Sequence, residues 1–460
     1  MIKYLFALLL FFAAYCMEMS AQSTIFLDLD SAKVYALEHN RMLQNAGNAV
    51  DDAKYKIWET TAAGLPQASA TVDYSYLFNY EIQFSFGDNT GVEFTDDQRA
   101  LLDDGDMLIL GALNNMFGSS EGVVLDHQSN AKLQVSQLIF SGSFIVGLQV
   151  SKLYKKVTEK NYEKTERDIK EQVSNSYYLC LVAEMSEDIL HKSLDNLKKV
   201  QKNTEMLASV GMAEQLDADQ FSVQVTSVEN TLKITERNKE LAYGLLRIQL
   251  GLETDEEIEL TDSLEIFIGK INRETAYSNI FNLNNNLEYQ ILDNQLKIAE
   301  KQVSVEQMSY LPTVSGFYSY TKKIIAPGFD MTPPNVVGLN VSVPIFSSGM
   351  RKAKVSQAKV NLMNTQNNME YMKQQLTLQE KQSRNNLINA LEQYDNNKRN
   401  VEVSQRIYNN YQLKHEQGIV SSLDLIDVNS RYLSAQSDYI NSILNLLQSY
   451  MELQKMLNNL

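Results

Sequence analysis

Proline is nearly absent from this 460-residue chain. There are six, with none from Gln67 to Leu311 and none from Ile345 to Leu460. An interior proline breaks a helix, so two such stretches permit very long helices. Glycine is also scarce, at 19 residues. Cysteine is limited to Cys16 and Cys180, and the four histidines (His39, His127, His191, His415) show no ligand spacing. No HExxH, CxxC, GxSxG or P-loop pattern occurs, which leaves a catalytic reading without a constellation to rest on. Basic residues are outnumbered, 41 Lys and Arg against 57 Asp and Glu, for a net charge of −16. That balance argues against a nucleic-acid binder, which needs basic stripes. Apolar residues make up 44% and charged residues only 21%, a composition that folds.

The first 21 residues, MIKYLFALLLFFAAYCMEMSA, carry one early cation, Lys3, then an apolar run from Tyr4 to Met17. That run is short of the roughly 20 residues a bilayer helix needs. A secretory signal over residues 1–21, cut after Ala21, fits better. The rival, acylation at Cys16, meets Tyr15 where a small residue is expected. Removal of the signal leaves Cys180 alone, which excludes an internal disulfide and reads as a small buried residue on a helix.

The chain contains one plan twice. Asn40 precedes Pro66 by 26 residues, and Asn286 precedes Pro312 by the same 26. In that register Leu37 matches Leu283, Ala53 matches Ala299, and Leu65–Pro66 matches Leu311–Pro312. LQVSQLIFSG (133–142) then matches LNVSVPIFSS (339–348), and Gly211 with Leu216–Asp217 matches Gly418 with Leu423–Asp424. The first copy, residues 22–270, differs from the second, 271–460, mainly by an insertion of about 40 residues. Each copy begins with a helix, predicted over Ser31–Gly64 and Asn286–Tyr310. A strand follows. Ala70, Val72, Tyr74, Tyr76, Phe78 and Tyr80 occupy one face, against Ser69, Thr71, Asp73, Ser75 and Asn79 on the other. That is the period of two of a strand. Copy two begins a weaker version near Val314, Gly316 and Tyr318. A second strand alternates at Leu133, Val135 and Ile139, and at Val337, Leu339, Val341, Val343 and Ile345. Long helices come next, over Phe144–Ser209 and Met350–Gln417, each long enough to reach roughly 100 Å at 1.5 Å per residue. Leu387, Tyr394, Val401, Tyr408 and His415 fall on a heptad, the spacing of paired helices. Return helices run to about Gly251 and Leu460.

Four strands of about ten residues have the length of tilted membrane strands. A four-stranded sheet leaves two bare edges that lipid cannot satisfy, and three copies closing twelve strands would remove them. The Leu and Asn of the first helix, the Leu-Pro before a strand, the Ile-Phe-Ser after one and the Gly…Leu-Asp turn, each present twice, resemble the TolC family of outer-membrane efflux proteins. The resemblance spans about Ile25 to Leu460. It implies a mainly α fold with a small β part and internal duplication. Each protomer would supply long antiparallel coiled-coil helices to an α-barrel and four transmembrane strands to a trimeric twelve-stranded β-barrel. It also implies residence in the outer membrane of a Gram-negative bacterium with a periplasmic extension. The implied partners are two further copies, outer-membrane lipid, a periplasmic adaptor (membrane fusion) protein and an inner-membrane pump of the RND, ABC or MFS kind. No catalytic activity, cofactor or metal is implied.

Asp424 and Asp427 lie three apart on one helix face after the second turn. Composition alone reads them as helix N-terminal acids favoured by the macrodipole. In the family the matching positions form acidic rings that constrict the channel, so the resemblance makes them gate and selectivity residues. Asp217 is the first-copy counterpart of Asp424, while Gln220 stands where copy two has Asp427. In the family that first-copy aspartate accepts from a tyrosine, here His415, which implies a latch strengthened by imidazole protonation. A second family latch, arginine to threonine, is replaced by Val420 and Leu216. Gly211, Gly418, Leu216 and Leu423 form the helix turns where the adaptor would dock. The insertion 81–130 reads as an acidic external loop. Its Asp103–Asp104–Gly105–Asp106 run lacks the ligand register of a calcium loop. The alternatives are a periplasmic coiled-coil scaffold without membrane insertion, against which the tyrosine-faced strands argue, and an enzyme on a helical bundle, for which no motif speaks.

Overall fold

The computed structural model describes residues 24–76, 81–82, 95–109, 123–124, 127–271, 273–277, 280–325 and 332–460. The expected signal, Cys16 and much of the acidic insertion lie outside these residues, as do Phe78 and Tyr80 of the first expected strand. The chain forms two compact units that cut across the repeats. One gathers residues 1–54, 153–299 and 361–460, the other 55–152 and 300–360.

In the larger unit, β1 (Ile25–Leu27) pairs in parallel with β6 (Ile258–Leu260), and α1 (Leu29–His39) follows. Asp262 ties this entry together. Its Oδ2 accepts from Leu29 N at 2.8 Å and from Tyr177 Oη at 3.1 Å. The single helix expected over Ser31–Gly64 is two, because the chain turns extended at Asn40 and restarts as α2 (Arg41–Ala62). The Asn40 side chain explains the break. Its Oδ1 accepts from Met42 N and Leu43 N, capping α2, and its Nδ2 donates to Gln249 O at 2.7 Å. Asn286 repeats the cap in copy two, accepting from Tyr289 N at 3.1 Å at the start of the following helix, Leu287–Met308. The paired asparagines of the sequence are thus N-caps.

Two helical hairpins make up most of this unit. In the first, α3 (Gly142–Ser209) returns as α4 (Gln215–Leu250). In the second, the helix Met350–Glu416 returns as Ser422–Leu457. Numbered onward through the short helices α5 (Leu264–Ile268) and α6 (Arg273–Tyr277), the helix from Leu287 is α7 and the second hairpin is α8 and α9. Neither long helix contains proline. The main core buries Ile169, Tyr177, Leu246, Leu387, Ile443, Leu447 and Leu453 among others. Cys180 is fully buried in it, and burial pushes its thiol up to about 12. That is the inert packing residue expected. A second cluster joins the turn-proximal ends of the hairpins through Leu194, Leu197, Phe221, Val225, Tyr408 and Leu425. A buried Arg167 on α3 bonds Glu288 of α7 at 2.5 Å and Asp168 at 3.0 Å, and Lys455 of α9 reaches Asp168 and Glu171.

The smaller unit holds an antiparallel sheet of four strands, β2 (Gln67–Tyr76), β5 (His127–Phe140), β7 (Thr313–Ile325) and β8 (Asn335–Ser342), in that spatial order. Among the described residues, the intervening β3 (Glu81–Ile82) and β4 (Val123–Val124) pair with each other. In the expected calcium-like run, Asp103 Oδ1 accepts from Gly105 N and Asp106 N at 2.8 Å, so this carboxylate serves the backbone. No described helix is long and apolar enough to cross a membrane.

Candidate functional site

Strand register sorts the sheet into two unlike faces. Ala68, Val135, Tyr318 and Val337 lie in one row, and Ala70, Leu133 and Tyr320 in the next row of the same face. The opposite face carries Ser69, Gln134 and Ser319, then Thr71, Lys132 and Thr321. Exposure runs contrary to that of a sheet packed on a core. Val337 is 81% exposed, Val72 71%, Leu339 64% and Tyr74 63%, whereas Ser319 is 6% exposed. Water penalises such a face at about 25 cal/mol per Å² of apolar surface, a penalty that hydrocarbon removes. The outermost strands, β2 and β8, each have one neighbour among the described residues.

The two hairpin turns are built alike. Gly211 and Gly418 take φ of +75° and +72°, which glycine adopts without a Cβ clash. Met212 N donates to Leu207 O at 2.8 Å and Ile419 N to Lys414 O at 2.9 Å, closing each helix with the same left-handed cap. Leu216 and Leu423, each five residues after its glycine, are 60% and 61% exposed. Val210, Met212 and Ile419 are exposed beside them, and sequence reading had singled out none of these three.

The restarts differ. Ser421 caps α9 in a reciprocal box. Its Oγ donates to Asp424 Oδ2 at 2.7 Å, and Asp424 N donates back to Ser421 Oγ at 3.2 Å. In copy one Glu214 stands at the cap without a side-chain bond, so Asp217 has no such partner. Asp424 and Asp427 both face solvent on one side of α9, while Leu425 and Asn429 are buried on the other. Asp427 pairs with Arg431 at 2.9 Å, an exposed contact one helical turn on. Asp424 is thus the helix N-terminal acid of a capping box.

His415 lies between the hairpins. Its ring stands edge-on to Phe221 with centroids 5.6 Å apart, and its Nε2 lies 3.2 Å from Ser422 Oγ. The hydrogen-bond partner is therefore Ser422, where sequence reading had placed Asp217. Burial lowers the imidazole pKa below its ordinary value, against the pull of Asp217 and then Glu416.

Long helical hairpins and a four-stranded sheet, each assembled from two repeats, define a mainly α fold with a small β part. Residues 282–459 match the family described as Outer membrane efflux protein. The chain is 21% identical over 335 residues to Outer membrane protein TolC of Salmonella enteritidis, a match covering 69% of this chain and 66% of that relative. Among solved structures, the CusC channel superposes with a TM-score of 0.72 at 14% identity, covering 94% of this chain and 93% of its own. The outer membrane protein VceC of Vibrio cholerae gives 0.70 at 14% identity, with 93% and 95% covered. Family match, related sequence and fold bear out the resemblance to the TolC-type outer-membrane efflux proteins.

Proposed function

We propose that three copies of this chain form a passive export conduit through the outer membrane. The observation that carries this reading is the inverted exposure of the sheet. Its tyrosine and valine rows are exposed although apolar, Ser319 on the opposite face is buried, and among the described residues each edge strand has one neighbour. In hydrocarbon every backbone donor and acceptor must be paired, so four strands per copy close as twelve from three copies. The polar face then lines water. Envelope fractionation and sizing in detergent with and without boiling test this. An outer-membrane species near three times the protomer mass, collapsing to one on heating, is expected, and a soluble periplasmic monomer overturns it.

The exposed turns, with Leu216 and Leu423 beside Gly211 and Gly418, form the docking surface for a periplasmic adaptor that links the conduit to an inner-membrane pump. Asp424 and Asp427 supply the carboxylates of a constriction that favours cations. His415, bonded to Ser422 and edge-on to Phe221, would hold the two hairpins together near the turns. Conductance of the Asp424→Ala/Asp427→Ala double variant in planar bilayers checks the gate. Loss of cation preference together with a larger conductance is expected.

A further inference from the structure

Midway along the first hairpin, three side chains with metal-binding atoms converge. Glu187 and His191 stand four apart on α3 and therefore share a face. Glu236 reaches them from the antiparallel α4. One ligand atom from each lies within 4.8 Å of the other two. We infer that Glu187, His191 and Glu236 form a binding site for a divalent transition-metal ion of the Zn²⁺ type. This goes beyond the conduit reading and does not depend on it.

The chemistry of the donors selects the ion. One imidazole and two carboxylates, with no thiolate, suit Zn²⁺ and its neighbours better than the all-oxygen shells of Ca²⁺ or Mg²⁺. Zinc bonds of about 2.0–2.2 Å place tetrahedral ligand atoms roughly 3.4 Å apart, so side-chain rotation of about an ångström closes the shell without backbone movement. Three protein ligands leave a fourth position for water or a small anion. The site already attracts a cation. Lys239, three residues after Glu236 on the same face of α4, pairs its ammonium with Glu187 Oε2. Glu187 is largely buried, with 19% of its side chain exposed, and in the metal-free chain this ammonium offsets its charge. Neighbouring charges are engaged elsewhere: Asp188 with Lys192, and Glu184 as acceptor of the Tyr243 hydroxyl. Metal entry therefore exchanges the Lys239 ammonium for a dication that bridges the two helices.

The competition supplies the test. Chelator-stripped full-length protein in detergent is titrated with Zn²⁺ against a chromophoric chelator, and Co²⁺ absorption serves as a ligand-field readout. Wild type binds one ion per protomer at this site. His191→Ala and Glu236→Gln each weaken it at least tenfold. Lys239→Met, which removes the competing cation, tightens it about tenfold. Zn²⁺ raises the wild-type Tm and leaves that of His191→Ala unchanged. Circular dichroism confirms that each variant folds, these positions being at the surface of the hairpin. Binding that is unaltered in His191→Ala, or indifferent to Lys239→Met, marks scattered surface adsorption and overturns the site, as does the absence of saturable binding.

Discussion

The His415 ring carries a titration whose sign the structure sets. Desolvation lowers its pKa below the ordinary value of 6.5, so the folded state prefers the neutral ring that meets Ser422 and Phe221. A group depressed in this way contributes stability that is present above the unfolded value and is lost as pH falls through the folded one. The charge-assisted pair with Asp217 that the sequence suggested would have the opposite dependence. Amide hydrogen exchange across residues 408–432 is expected to quicken between pH 7.5 and 5.5 in wild type. In His415→Phe, which keeps the edge-on aromatic contact, exchange corrected for its intrinsic pH dependence stays flat. Buried charge makes a second residue decisive. Arg167 is 4% exposed and relies on Glu288 and Asp168. Glu288→Ala leaves it partly uncompensated and is expected to cost about 3 kcal/mol, read as a fall in denaturation midpoint. Glu288→Gln is expected to lose less.

Between the two hairpins, the helix restarts are the unequal part. The turns share glycine geometry and cap bonds, yet only α9 begins with a Ser–Asp box. Ser421→Ala is expected to cost about 1 kcal/mol and to raise the protease sensitivity of the second turn toward that of the first. The converse change, Glu214→Ser, should protect the first turn, as limited proteolysis would show. Most of these helices could be read from proline scarcity and heptad spacing, and the glycine turns from the Gly…Leu-Asp repeats. The break at Asn40 was not legible, because no proline or glycine marks it. An asparagine becomes a helix start only when its amide finds Gln249 O, more than 200 positions away in the chain. The β1–β6 pairing escaped for the same reason, since three-residue strands carry too little periodicity to declare themselves. The proposed metal site was not read from the sequence, because His191 has no histidine or cysteine at ligand spacing and Glu236 comes near it only once the hairpin folds.

For the proposed trimeric channel, the two-faced sheet yields a test by substitution. Leu339→Arg places a charge on the outward row and is expected to cost about 2–4 kcal/mol at mid-membrane depth. Gln134→Arg on the opposite row is expected to cost far less. The fraction of heat-modifiable trimer recovered from outer membranes distinguishes them. The strand pattern was legible from the alternation in β2 and of Val337, Leu339 and Val341 in β8, although β8 ends at Ser342, before the expected Val343 and Ile345. The number of copies was not, because no residue counts its neighbours; three is what the closure argument proposes. The two open edges of that sheet also carry a genetic consequence. In the proposed trimer, a mutant copy spoiled along β2 alone would still dock through β8, enter assemblies and prevent the ring from closing. Such an allele is expected to be dominant over the wild type, silencing most complexes in a mixed population. A copy that fails to fold at all merely dilutes the supply.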